Sequence, residues 1–399
     1  MHRRNFPLLW VSQAFSLLGT SISTLAYPLL ILDLSGSALQ AGLVGTVIAA
    51  TGLVFRLPGG VLADRHPPRA LMLTADAVRA VAVGGVALAV FTQTATLPLV
   101  LLIVGVEVAF GTVFGPAEFT VLRSIVSPDQ RALAVGRMQS RTQLAGLIGP
   151  LVGGALYGVA PALPFAADAV SYLISLALVL GIRVPRPRPR SGAAPLRERL
   201  AAGWRWLRRD DFLLPAGLWV AALTAVFTAV GLVIIIVARE RGATAFETGA
   251  MFAISTAGGL IGALVTPALQ RRLRPAAIMR CAVLVDAVAA AALVPLTSPY
   301  LIGIAGAAAF FLVPAVSASL FGELSRRCPD ELVGRAQATL TLVVGSVAPL
   351  ASVGVGAVTD AAGTTAGILA CVAGFVVLSA IAWLLPAFRR VRGPGRGDG

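Results

Sequence analysis

Residues 37–72 read SALQAGLVGTVIAATGLVFRLPGGVLADRHPPRALM, and residues 244–279 read TAFETGAMFAISTAGGLIGALVTPALQRRLRPAAIM. Laid over one another without a gap, at an offset of 207, they share Ala38/Ala245, Gly42/Gly249, Gly52/Gly259, Leu53/Leu260, Leu62/Leu269, Arg65/Arg272, Pro68/Pro275 and Met72/Met279. Each segment is an apolar run long enough to cross a bilayer core, which takes about 20 residues. Each then ends in a basic turn whose proline opens the next run. Further pairs follow in the same order: Pro116-Ala117 with Pro314-Ala315, and Val135-Gly136-Arg137-x-Gln139 with Val333-Gly334-Arg335-x-Gln337. Single matches arise readily in Ala/Gly/Val-rich sequence, but an ordered series does not. The chain is built from two copies of one unit.

Composition says what kind of unit it is. The chain has 399 residues, 57% hydrophobic and 13% charged, with a mean hydropathy of +0.87. Soluble domains carry roughly 25% charged residues, so a water-soluble enzyme is excluded. Apolar runs between charge clusters predict twelve spans, at about 8–32, 39–62, 70–92, 98–122, 132–158, 164–182, 212–238, 247–269, 277–297, 300–324, 336–358 and 365–386. The first run reads as a span and not as a cleaved leader, because many like it follow. With the N-terminus inside, 26 of the 32 basic residues fall in inner segments, and the outer loops hold only Arg239 and Arg241. The positive-inside rule then puts both termini in the cytoplasm. The expectation is an all-α integral membrane protein of the cytoplasmic (inner) membrane, multi-pass, with twelve transmembrane helices as two six-helix bundles related by internal repeats. Residues 1–182 form the N-terminal bundle, 183–211 a cytoplasmic linker, and 212–399 the C-terminal bundle with a short cytoplasmic tail. The linker opens on a Pro-Arg stretch from Arg183 to Gly192. It continues as a basic amphipathic helix with Leu196, Leu200, Trp204 and Leu207 at helical spacing, expected to lie on the inner leaflet.

The remaining chemistry is sparse. The net charge of +14 comes from arginine alone, since the sequence has no lysine. These arginines sit in short runs between spans and form no stripe for nucleic acid. Cys281, Cys328 and Cys371 are three in number and far apart, and the two histidines, His2 and His66, have no carboxylates beside them. No metal site, cofactor or catalytic centre is expected. Without lysine there is no Gly-x-x-x-x-Gly-Lys loop, so ATP is not the direct energy source.

Two motifs resemble those of a known family. Gly60-Val-Leu-Ala-Asp64-Arg65-His66-Pro-Pro-Arg69, between spans two and three, resembles the Gly-x-x-x-Asp-Arg-x-Gly-Arg-Arg loop of major facilitator superfamily transporters, with Pro67 and Pro68 as departures. Gly136-x8-Ala145-x3-Gly149-Pro150-x2-Gly153-Gly154 in span five is similar to that family's antiporter motif, with Ala145 in place of a glycine. The resemblance covers almost the whole chain. It implies a gate in which Asp64 rests on the N-terminal dipole of span eleven near Arg335, with Gly60, Arg65 and Arg69 shaping the loop. It also implies a close helix contact through the small residues of span five, of the kind that exporters use. Leu-Met-x-x-x-Asp76-x-x-Arg79, Asp168-Ala-Val-Ser-Tyr and Pro329-Asp-Glu-Leu-Val-Gly-Arg335 look like the enterobactin- and macrolide-exporter branch. Span four has Glu107-Val-Ala-Phe-Gly111 where the drug antiporters carry Arg-x-x-Gln-Gly.

Charges inside spans are costly and point to gates, pairs or ion paths. Arg56, Asp76, Arg79 and Glu118 fall near the inner ends of spans two to four, where they are expected to form one neutral layer supporting the gate. Asp76 and Arg79 in it are an i,i+3 pair. Glu107 lies within about one turn of the midplane and, with Glu118 below it, is the candidate proton carrier. Arg141 or Arg137 are its candidate counter-charges, and a plain structural pair is the alternative. An Asp-Ala-Val triplet recurs at Asp76, Asp168 and Asp286. Asp33 and Asp168 are expected to snorkel to water, and Asp286 to be structural. Gln13, Ser16, Thr20 and Thr24 make a polar face on span one. With Trp219, Phe227 and Phe310 they are the candidate substrate cavity. The expected function is proton-driven export of a hydrophobic or amphipathic small molecule (drug, macrolide, siderophore or natural product) by a monomer. Metabolite uptake and lysophospholipid flipping are the alternatives.

Overall fold

The structure is a computed structural model. It describes residues 5–182 and 196–384 and, within them, every side chain except those of Asp64, Leu196, Arg197 and Arg199. Among these residues there are only helices, and twelve are long and apolar enough to cross a membrane. The Pro-Arg stretch of the linker lies outside the described residues.

The chain divides into two compact units, residues 1–193 with 244–253 and residues 194–243 with 254–399. The first holds α1 (Asn5–Ser35), α2 (Ala38–Arg65), α3 (Pro68–Phe91), α4 (Leu97–Ile125), α5 (Arg131–Val159) and α6 (Leu163–Leu180). Their junctions follow turn chemistry. Ser37 caps α2 by accepting from the Gln40 amide, which satisfies one of the orphan donors at a helix start. Pro68 opens α3 where no amide hydrogen is needed. Helix α1 packs on α5 and α6, while α3 lies against α4 and α6. At the α1–α6 crossing a Cβ on Gly19 would run into Asp168 and Ser171, so glycine there lets the two backbones approach. Asp168 is fully buried in this crossing. The expected snorkelling to water is wrong, because serines of the bundle replace the water.

The second unit holds α7 (Leu196–Leu207), α8 (Leu213–Glu240), most of α9 (Ala245–Arg272), α10 (Pro275–Ala292), α11 (Pro299–Phe311), α12 (Val313–Arg327), α13 (Asp330–Gly345), α14 (Ala348–Ala362) and α15 (Thr364–Leu384). Spans ten and eleven are therefore broken, each into two helices. Pro314 and Pro349 stand in the first turns of α12 and α14. Neither can donate to the carbonyl four residues back, so the helix restarts there.

The linker helix differs from its expectation in what it lies against. Helix α7 packs on α13, where a Cβ on Gly203 would clash with the Arg335 carbonyl and the Thr339 hydroxyl. Leu207 is fully buried, whereas Trp204 is 41% exposed. The apolar stripe is thus divided between protein and surroundings.

Candidate functional site

Helical spacing gathers a polar cluster in the middle of the first unit. Ser16, Thr20, Ser23 and Tyr27 share one face of α1, at steps of four, three and four residues. Asp168, Ser171, Tyr172 and Ser175 share one face of α6 in the same way. Because α1 and α6 pack together, the two faces meet, and α3 and α4 add Arg79 and Glu107.

Glu107 is the centre. It is 4% exposed, and each of its oxygens accepts a phenol. Tyr27 donates to Oε2 at 2.7 Å and Tyr172 to Oε1 at 2.8 Å. The Arg79 guanidinium lies 3.8 Å from Oε1 and 4.1 Å from the centre of the Tyr172 ring. It donates to the Tyr172 oxygen at 2.5 Å, to Thr20 at 2.9 Å and to Ser16 at 3.4 Å. Four helices thus converge on one ion pair. Beside it, Ser23 donates to Asp168 Oδ2 at 2.6 Å, and Ser171 reaches Oδ1.

Two expectations about pairing are corrected. The counter-charge of Glu107 is Arg79, not Arg141 or Arg137. Arg141 instead pairs with Glu118 at 3.0 Å and donates to the Trp10 carbonyl. Asp76 does not bridge to Arg79 either; its Oδ2 accepts from Ser175 of α6 at 2.6 Å. Spacing of i,i+3 makes contact possible, but the long arginine reaches across the helix interface to a better-placed carboxylate. Nor do four charges form one layer, because Arg56 is exposed.

In the gate loop, Gly60 has open space where a Cβ would be, Arg65 is exposed, and Arg69 donates to the carbonyls of Val179 and Leu180 at the end of α6. The Asp64 side chain lies outside the described residues. Arg335 is exposed at the start of α13. In span five, Gly136 is exposed, whereas Ala145, Gly149, Gly153 and Gly154 are buried. A Cβ on Gly149 or Gly153 would strike Ser21 or Ile22 of α1, and one on Gly154 would strike Ala245. Pro150 lies inside α5, and its carbonyl faces Gly249.

Of the candidate cavity residues, Gln13 is buried with its amide nitrogen unpartnered, and Thr24 is exposed. In the second unit Trp219 donates to the Leu378 carbonyl at 2.9 Å. Phe227 meets Phe310 and Phe375 edge-on, with ring centres 5.5 and 5.8 Å apart. Sequence reasoning singled out Glu107 and Arg79 but not the tyrosines that join them. The signal was the Asp168-to-Tyr172 spacing, one helical turn along a face already carrying a carboxylate. No group of three metal-ligating side chains occurs among the described residues.

Comparison with known proteins agrees with this architecture. The chain is 25% identical to the multidrug efflux pump Tap of Mycobacterium tuberculosis over 384 residues, 94% of this chain and 91% of that protein. It is also 25% identical to the enterobactin exporter EntS of Escherichia coli over 333 residues, 83% and 79% of the two chains. Among solved structures, a bacterial homologue of the human lysosomal transporter Spinster, inward-facing and unoccupied, superposes with a TM-score of 0.77 at 16% identity, covering 99% of this chain and 100% of that one. The nucleoside transporter NupG superposes with a TM-score of 0.78 at 11% identity, covering 96% and 99%. Residues 9–353 match the family model described as Major Facilitator Superfamily. This multi-pass membrane protein, with its twelve apolar helices, belongs to the Major Facilitator Superfamily of transporters.

Proposed function

We propose that the protein exports an amphipathic small molecule across the cytoplasmic membrane, driven by protons flowing inward. The observation that carries the proton coupling is a charge imbalance. Among the described side chains of the first unit, four carboxyl groups are buried, Asp76, Glu107, Glu118 and Asp168, against only the guanidiniums of Arg79 and Arg141. Isolated charges in so apolar a setting are costly, so the excess of carboxyl groups over guanidiniums favours proton binding within this cluster. Glu118 keeps Arg141. In this reading Glu107, the carboxyl paired with Arg79, is the proton carrier: its protonation releases Arg79, and the phenols of Tyr27 and Tyr172 have to regroup. Such a network has two arrangements and can bias a two-state transporter.

The same reading assigns the remaining roles. Gly60, Asp64, Arg65, Arg69 and Arg335 form the inner gate, with Asp76 and Arg79 linking it to the proton site. Gly136, Ala145, Gly149, Pro150, Gly153 and Gly154 provide the close contact that seals one side. Gln13, Ser16, Thr20, Thr24, Trp219, Phe227 and Phe310 border the substrate path. Residues 1–182 and 212–399 act as the two moving halves of a monomer whose termini are both cytoplasmic. Export is favoured over uptake by the exporter relatives and by the span-five glycines.

The test uses inverted vesicles given only a pH gradient, with radiolabelled erythromycin and chloramphenicol as probes. Glu107→Gln is expected to abolish accumulation while keeping counterflow exchange. A variant that still concentrates substrate against its gradient overturns the assignment of Glu107.

A further inference from the structure

The Asp-Ala-Val triplet occurs three times, and two of its aspartates hold at least one hydroxyl, although Asp76 Oδ1 is itself without a partner. Asp76 accepts from Ser175, and Asp168 accepts from Ser23 and Ser171. The third, Asp286 on α10, holds none among the described residues. It is 1% exposed, its Oδ1 has no hydrogen-bond partner, and among the described residues no cation pairs with it. The arginine on its own helix, Arg280, donates to the Ala382 carbonyl at 3.0 Å and lies 4.4 Å from the centre of the Trp383 ring, so its charge is engaged elsewhere.

Asp286 is one of the residues lining a cavity of about 50 Å³ between α8, α10 and α12. Its walls are aliphatic and aromatic, with Val220, Phe227, Val313 and Val316 among them, and Thr224 and Ser317 also line it. The Thr224 hydroxyl donates to the Val220 carbonyl at 2.8 Å, which leaves its oxygen free to accept. The cavity exceeds the roughly 10–15 Å³ that one water requires on this measure.

We propose that this cavity receives the protonated amine of the transported molecule, with Asp286 as its counter-ion. A buried carboxylate without a partner is strongly unfavourable until a cation joins it. The surroundings offer that cation one anion, acceptor oxygens and an aromatic ring, and they offer its apolar substituents aliphatic walls. An anionic head would find no cation among the residues that line the cavity. The space accommodates an ammonium head and not a whole drug-sized molecule, so the body of the substrate lies outside it. This inference rests on the exporter reading and names the substrate class within it.

The experiment measures binding of 4-phenylbutylamine and of its neutral analogue 4-phenylbutanol to the purified full chain in nanodiscs at pH 7, by titration calorimetry. The amine is expected to bind the wild type more tightly than the alcohol. Asp286→Asn should weaken the amine about tenfold or more, the scale of a desolvated charge pair, and leave the alcohol unchanged. Equal amine affinity in the two proteins, or no preference for amine over alcohol in the wild type, overturns the proposal. Should Asp286→Asn fail to fold, Ala282→Leu fills the same cavity and keeps the carboxylate, and unchanged amine affinity there overturns it equally. Glu107→Gln separates the two readings, because it should stop proton-driven export and keep amine binding. Amine binding without proton-driven export by the wild type sinks the exporter reading alone.

Discussion

Tyr172 donates to Glu107 at 2.8 Å and at the same time receives Arg79 at 2.5 Å. One phenol on α6 therefore joins a carboxylate on α4 to a guanidinium on α3, and its ring lies under that guanidinium. Tyr172→Phe keeps the ring and removes the bridge. The substitution removes both bonds, each costing about 0.6–2 kcal/mol in a membrane interior, so the variant should insert and fold with a lower melting temperature. Proton-driven uptake into inverted vesicles should fall well below the loss of stability, while counterflow is kept. Equal losses in both assays would make Tyr172 a packing residue only.

The Glu118–Arg141 pair, 3.0 Å apart with both side chains buried, predicts an asymmetry between variants. Arg141→Ala leaves a carboxylate without its partner and should cost about 3–5 kcal/mol. The double change Arg141→Met with Glu118→Leu removes both charges and should be the less destabilised of the two. Thermal unfolding in detergent reads the order directly, and a double variant weaker than the single one contradicts it.

Close packing of α5 on α1 predicts the outcome of enlarging span five. A side chain at Gly153 meets the Ile22 backbone, which cannot rotate away as a side chain can. Gly153→Leu should cost about 1–3 kcal/mol through overpacking and bias the transporter toward one orientation. Cysteine probes on the two faces, in an otherwise cysteine-free background, should show unequal accessibility; unchanged labelling on both faces counts against it.

Asp64→Ala is expected to lose most transport with abundance unchanged, because in the proposed gate its carboxylate holds one of two arrangements. Vesicle transport normalised to protein content measures it. Near-normal transport would remove the latch.

Much of this molecule was legible in sequence because the bilayer imposes simple rules. Apolar length and arginine placement located all twelve spans, and the ordered repeat indicated two bundles. The largest errors lie at the start of span eleven, which begins at Asp330 and not 336, and at the end of span nine. The breaks in spans ten and eleven were missed because hydropathy averages over a single proline, and Pro116, the repeat partner of Pro314, sits inside the unbroken α4. Arg79 and Arg141 could not be assigned between Glu107 and Glu118 from sequence. The packing of the helices that carry them decides: α3 lies on α4, while α4 and α5 are both held against α1. Asp168 was misplaced for a related reason: depth along a helix was readable, whereas the serines on α1 that replace its water are more than a hundred residues away in sequence.

The reliance of α3 on α6 also bears on how the chain is made. Asp76 waits for Ser175, and Arg79 for Tyr172, so the third helix leaves the ribosome well before its partners exist. Charged residues near a helix centre oppose insertion by about 2.5–3.5 kcal/mol each. The third helix must therefore be retained beside the insertion machinery, or held by Glu107 of the fourth, until the sixth is synthesised. Nascent chains halted before residue 168 should be caught by quality control, and those halted late enough for the whole of α6 to have left the ribosome should escape it.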